Sequence, residues 1–224
     1  LFVHGVASQQ FGVLPVIFFQ MKKAAFIDTG SWSTKAIVEA NRYGEVEVLA
    51  SSASDTFTYI PEWKDEEIPT DADYLHITTN NTIYGTRFST LPSSPIPIVA
   101  DMSSNILSEV YDVSQFGLIY AGAQKNIGPA GLTIVILRKE LIGHALDICP
   151  KMLNYQTHAE KGSMFNTPPT YAIYLAGLVF DWTLAHGGVT EMEKRNLAKA
   201  SPLAHECLLP FGICRRRHPL PCLR

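Results

Sequence analysis

The chain holds 224 residues, 46% of them hydrophobic and 17% charged, with a formal net charge of −3. Soluble domains usually carry roughly 25% charged residues, so the deficit suggests extra buried surface such as a subunit interface. The slight negative charge gives no electrostatic footprint for a nucleic-acid partner.

The opening residues, LFVHGVASQQFGVLPVIFF, are apolar enough to imitate a leader or a membrane segment. They lack a basic leading region, contain Gly, Pro, His and Gln, and meet Lys22 and Lys23 only afterwards. They therefore read as soluble core, with no membrane partner expected. The chain starts at Leu1 rather than at a methionine, which suggests a fragment. Within this stretch Gly5-Val6-Ala7-Ser8 stands where a helix can begin, and small residues at a helix start leave backbone N–H groups free to hold a phosphate.

AAFIDTG (24–30) reads as a short buried strand, followed by a helix over SWSTKAIVEANRYG with a serine cap and Gly44 as its stop. EVEVLAS alternates as a strand does, and YLHITTN (74–80), IPIVADM (96–102), GLIYAGA (117–123) and LTIVILR (132–138) are further β candidates. Apolar strands joined by helical crossovers predict an α/β protein with a mostly parallel sheet and flanking helices. Thr167-Pro168-Pro169-Thr170 opens a long helix that Gly187-Gly188 ends. Its stripe of Tyr171, Tyr174, Leu175, Leu178, Val179 and Trp182 is expected to be core or interface.

Three of the four cysteines (Cys207, Cys214, Cys222) fall in the tail AHECLLPFGICRRRHPLPCLR, which is net +3. Cys207, Cys214, His218 and Cys222 match no strong zinc spacing, so no metal site is expected and the tail reads as a disordered or foreign end.

Ligands of open α/β sheets gather at the carboxyl ends of the strands. Asp101 closes IPIVA, and Gln124 and Lys125 close GLIYAGA. A lysine among small and apolar groups can be desolvated into a usable amine nucleophile, able to form a Schiff base with the aldehyde of pyridoxal phosphate. An aspartate one strand away could keep the pyridine nitrogen of that cofactor protonated. A plain ion pair, or two unrelated surface charges, accounts for the same residue types.

The strings HGVASQQF, DTGSWSTKA, TTNNTIYGT, IVADMSSN, YAGAQKNIGPAGL and MFNTPPTYAIY stand in one order from about Val3 to about Ala200. Together they resemble the phosphoserine aminotransferase family, pyridoxal-phosphate enzymes of the aspartate-aminotransferase fold type (fold type I). The resemblance implies that residues 1–200 are part of the cofactor-binding large domain, that the small C-terminal domain is missing, and that 201–224 is an aberrant tail. It implies that Lys125 forms the Schiff base, that Asp101 meets the pyridine nitrogen, and that Trp32 stacks on the ring. Thr82 would bond near the phenolic oxygen, and Ala7 and Ser8 would hold the phosphate with help from Gln124. Asn166 and Thr167 would reach the cofactor of a second subunit, which implies a homodimer with shared sites, in the cytoplasm. The reaction implied exchanges an amino group between glutamate and 3-phosphohydroxypyruvate, giving phosphoserine and 2-oxoglutarate, with a pyridoxine-pathway substrate also in use in many members. A catalytically inactive fragment that binds at most cofactor or a partner chain is the alternative.

Two departures accompany the likeness. Val6 stands where the family usually has a second glycine, which predicts a tighter or distorted phosphate turn. The family's His-Arg substrate segment would lie before Leu1, and its carboxylate-binding arginine after the 190s, where likeness ends at about Ser201. A cysteine desulfurase, of the same fold type, is disfavoured because Cys149 lies in the helix-like LIGHALDICPKM.

Overall fold

A computed structural model describes residues 1–202; the tail and its Cys207, Cys214, His218 and Cys222 lie outside them. The strands are β1 (Phe2–His4), β2 (Lys23–Asp28), β3 (Glu45–Ser51), β4 (Leu75–Thr78), β5 (Asn80–Asn81), β6 (Thr86–Arg87), β7 (Ile98–Asp101), β8 (Leu118–Gly122) and β9 (Leu132–Leu137). The helices are α1 (Ala7–Phe18), α2 (Ser31–Ala40), α3 (Tyr155–Glu160), α4 (Thr170–Ala185) and α5 (Gly188–Pro202).

Seven strands form one sheet in the order β1-β9-β8-β7-β4-β2-β3, while β5 and β6 form a separate small ribbon. From β3 to β8 every pairing is parallel. At the other edge β9 runs antiparallel to β8, and β1 antiparallel to β9. The sheet is thus mostly parallel, with one reversed strand that the apolar run LTIVIL, identical in character to its parallel neighbours, gave no sign of.

Both faces of the sheet are covered, as parallel sheets require. The two-residue period of a strand divides the core. Ala24 and Phe26 of β2 join Val99, Leu118, Tyr120 and the buried side of α1 (Phe11, Leu14, Ile17) in one cluster. Ala25 and Ile27 face the other way, with Leu75, Ile77, Ala100, Ile119 and Ala121. The opening apolar segment is core, as expected: α1 buries Val13, Leu14, Val16 and Ile17. Among the described residues no single helix is long and apolar enough to cross a membrane.

Three local expectations change. Helix α2 begins after Gly30, whose side chain can cap nothing; Ser33 instead reaches back, its Oγ accepting from Thr29 N (2.9 Å) and Gly30 N (3.0 Å). The stretch LIGHALDICPKM forms no helix; only its first residue, Leu141, ends the short 3₁₀ turn Lys139–Leu141, because Gly143 sits at φ 97° and Pro150 interrupts the segment beyond it. In α4 the core face is Ala172, Ala176 and Thr183; of the stripe expected to be core or interface, Leu175 and Val179 are half-buried while Tyr171, Tyr174, Leu178 and Trp182 face outward, with Tyr171 71% and Trp182 51% exposed. Small residues let α4 lie close on the sheet side, and that leaves its larger side chains unburied.

Candidate active site

The carboxyl ends of β7 and β8 bring the two sequence candidates together. Asp101, the last residue of β7, is 6% exposed. Burial pushes its carboxyl above the usual carboxylate range; Ser103, the Lys125 charge and the Tyr120 hydroxyl pull the other way without cancelling it. The Ser103 hydroxyl donates to Asp101 Oδ1 at 2.6 Å and the Ser103 N–H donates to the same oxygen at 2.9 Å.

Lys125 follows β8 in the reversal that leads to β9. It is exposed, so the desolvation expected from its small and apolar neighbours is not provided by this chain alone. Its Nζ donates to Thr82 Oγ1 at 3.3 Å, which places the expected Thr82 beside the amine. Thr82 itself is carried between β5 and β6. That ribbon is fastened on two sides: Asn81 to Thr29 (3.1 Å) and Tyr84 to Ser31 (2.7 Å) at the end of β2, and Asn80 to Ser104 (2.8 Å) after β7.

The turn at Ala7 and Ser8 reaches the same rim. Gly5 N donates to Gly131 O (3.2 Å) and Thr133 Oγ1 donates to Gly5 O (3.1 Å). Thr133 pairs with Gly122, whose N–H donates to Ser103 Oγ at 3.1 Å. The turn is therefore linked to Asp101 through three residues, Thr133, Gly122 and Ser103. Val6 does not distort it: Val6 is extended (φ −111°, ψ 159°), and the left-handed residue is Gly5 at φ 98°. No side chain caps α1 among the described residues; the Gln9 N–H donates to Val6 O (3.0 Å), and the N–H groups of Ala7 and Ser8 remain available. Gln124 is exposed and folds back over Gly122, where an added Cβ would lie 2.5 Å from its Oε1.

Trp32 sits in the first turn of α2, partly buried against the α1/α2 cluster, with Lys35 Nζ 4.6 Å from its ring centroid. Its neighbours Thr29 and Ser31 bind the ribbon that carries Thr82, but Trp32 stands two strands away from Asp101. Asn166 and Thr167 are exposed before α4, Asn166 donating to Met152 Sδ at 3.1 Å. They are not part of the Asp101–Lys125 cluster within this chain.

Sequence reasoning missed Thr78, Ser103 as a ligand of Asp101, Tyr120 and His76. Thr78 is the register partner of Asp101, 2% exposed, and its hydroxyl has no partner among the described residues. The two-residue period of YLHITT places His76 and Thr78 on one face, but which face could only follow from the pairing with β7.

The sequence pattern of the aminotransferase class-V family matches residues 1–219. The chain belongs to the class-V aminotransferases. The match runs past Ser201, where likeness was expected to end. The phosphoserine aminotransferase of Listeria innocua is 56% identical over 205 residues, covering 91% of this chain and 56% of the relative. A solved phosphoserine aminotransferase from Bacillus circulans subsp. alkalophilus superposes with a TM-score of 0.87 at 39% identity, covering 95% of this chain and 59% of that one. The PLP-bound phosphoserine aminotransferase from Trichomonas vaginalis gives 0.85 at 36% identity, covering 91% and 61%. The chain therefore spans little more than half the length of the phosphoserine aminotransferases it matches, and its mostly parallel sheet with flanking helices is that of fold type I aminotransferases.

The residues fit a phosphorylated pyridine aldehyde on three observations. An amine stands at the end of β8, a buried carboxylate one strand away can face a ring nitrogen, and an uncapped helix start opens on the same rim. The orphaned Thr78 hydroxyl beside Asp101 marks a polar group with bonding capacity to spare.

Proposed function

We propose that this chain is the cofactor-binding part of a transaminase that moves an amino group between glutamate and 3-phosphohydroxypyruvate, using pyridoxal phosphate. The observation that carries the reading is the buried Asp101 carboxylate within electrostatic reach of the exposed Lys125 amine, with Thr82 on that amine. Bound pyridoxal phosphate supplies an electron sink for the substrate α-carbon. Lys125 Nζ would hold the cofactor aldehyde and, once released, carry a proton to and from the α-carbon. Asp101 would accept the N–H of the pyridinium. The N–H groups of Ala7 and Ser8, with Gln124, would hold the phosphate, Thr82 would meet the phenolic oxygen, and Trp32 would cover the ring.

In this reading residues 1–200 are part of a large domain, and the working form is a cytoplasmic homodimer in which Asn166 and Thr167 serve the partner's cofactor. Two features support the dimer: both residues are exposed, and so is the adjoining face of Tyr171, Tyr174, Leu178 and Trp182 on α4. The test is borohydride reduction of the chain with pyridoxal phosphate, followed by peptide mapping. A phosphopyridoxyl group on Lys125, lost in Lys125→Ala, is the expected result; label scattered over Lys139, Lys151 and other exposed lysines would overturn it.

A further inference from the structure

Behind Asp101 lies a second layer of polar side chains. His76, Thr78, Asp101 and Tyr120 all point to the α1/α2 side of the sheet, since Thr78 pairs with Asp101 and Asp101 with Tyr120. His76 and Tyr120 are both fully buried, and their His76 Nε2 and Tyr120 Oη atoms lie 2.9 Å apart. Tyr120 is also the register partner of Asp101 on the neighbouring strand, so the buried phenol and the buried carboxylate lie side by side on this face. His76 Nδ1 has no partner among the described residues, and the ring stacks on Phe26 at 5.0 Å and 27°.

This arrangement has a direction. A neutral imidazole carries one N–H. Put on Nδ1, that proton would be an unsatisfied buried donor; put on Nε2, it is bonded and leaves only a lone pair unmatched, the less costly choice. With Nε2–H donating into the phenol oxygen, the phenol's own proton cannot point at His76 and turns to Asp101. We propose that His76 is a positioning residue: through Nε2–H it aims the Tyr120 hydroxyl at Asp101 and so keeps that carboxylate ionised for a pyridinium partner. The proposal rests on the assignment of Asp101 to the ring nitrogen. The charge acting directly on Asp101 is that of Lys125, and the groups facing Tyr120 besides Asp101 are the phenols of Tyr74 and Tyr155. Burial pushes the His76 imidazole down to about 3, so the ring is neutral in the working range.

Two measurements test it without relying on turnover. Nitrogen-15 NMR of the histidine rings in the full chain, without cofactor, should show His76 as the Nε2–H tautomer; the Nδ1–H tautomer would overturn the proposal, and this needs no variant to fold. Carbon-13 titration of the Asp101 carboxyl should then show its midpoint raised by about one unit, roughly a tenfold fall in acidity, in both His76→Leu and Tyr120→Phe. The double variant should add nothing further, and His76→Gln, whose amide can donate from the Nε2 position, should restore the midpoint. An unmoved midpoint in a folded His76→Leu protein, or failure of His76→Gln to restore it, would also overturn the proposal. Failure of the cofactor assignment reads differently: the bound cofactor's absorption would then not respond to Asp101→Asn, while the tautomer and the carboxyl midpoints stayed as stated.

Discussion

Acidifying the protein from pH 7 to pH 4 should weaken the fold through His76, and the size of the effect is set by its burial. Desolvation holds this imidazole at about 3, against 6.5 in an unfolded chain. Between those values the unfolded state binds a proton that the folded state refuses, so stability is full above 6.5 and falls as pH drops toward 3. Each unit is worth about 1.4 kcal/mol, which gives a loss of about 2 kcal/mol at pH 5 and about 3 kcal/mol at pH 4 from this residue alone. Asp101 acts in the opposite sense, because its folded value is raised: its contribution to stability is greatest below the unfolded carboxylate range and is lost as pH rises through its folded value. Urea unfolding at pH 7, 6, 5 and 4, comparing the parent with His76→Gln, separates the two, since both proteins share Asp101. The parent should lose about 2 kcal/mol more than the variant between pH 7 and pH 5. Parallel pH profiles would refute the reasoning and mean that His76 is protonated in the fold.

Three further outcomes can be checked. Ser33→Ala removes the acceptor of two backbone N–H groups and a 2.7 Å donor to Asp28, so urea unfolding should show a loss of about 2–4 kcal/mol; a change below about 0.5 kcal/mol would mean water replaces the hydroxyl. Gly44→Ala places a Cβ 2.3 Å from Lys22 O and 2.9 Å from Phe19 Cε2, a backbone clash expected to cost about 2–3 kcal/mol by the same assay. If α4 forms the subunit contact, Tyr174→Asp with Trp182→Asp should halve the mass measured by light scattering, and an intact dimer would exclude that face.

Strands β2, β4, β7, β8 and β9 were legible as short apolar runs and β3 by its alternation, whereas β1, β5 and β6 were too short or too polar to read; Asp101 and Lys125 were legible because they are the polar residues that end two of the apolar runs. The features that stayed hidden depend on partners. The reversal of β9 is a property of pairing, to which side-chain composition is blind. The lysine's surroundings also read differently: small neighbours in sequence suggested a desolvated amine, and Ala121, Ala123 and Ile127 are buried, but Lys125 itself projects to the surface. Of the two readings open for the α4 stripe, core or interface, the fold removes the first for its exposed members, because Ala172 and Ala176 take the core positions. His76 and Tyr120 lie 44 positions apart and meet only through the register of β4, β7 and β8.

The reversal of β9 also sets a timetable. β1 precedes β9 by about 130 residues, yet among the described residues its only sheet neighbour is β9, where Phe2 lies opposite Ile134. During synthesis the ribosome must therefore deliver more than a hundred further residues before the Gly5 turn can take its place on the rim. Until then the apolar side of α1, with Phe11, Leu14 and Ile17, lacks Leu118, Tyr120 and Val135 to cover it. Such long-range closure is slow and leaves sticky surface uncovered in the meantime. The segment from β1 through α1 is accordingly the part most in need of chaperone protection during synthesis, and the Gly5 turn is among the last features of the rim to be completed.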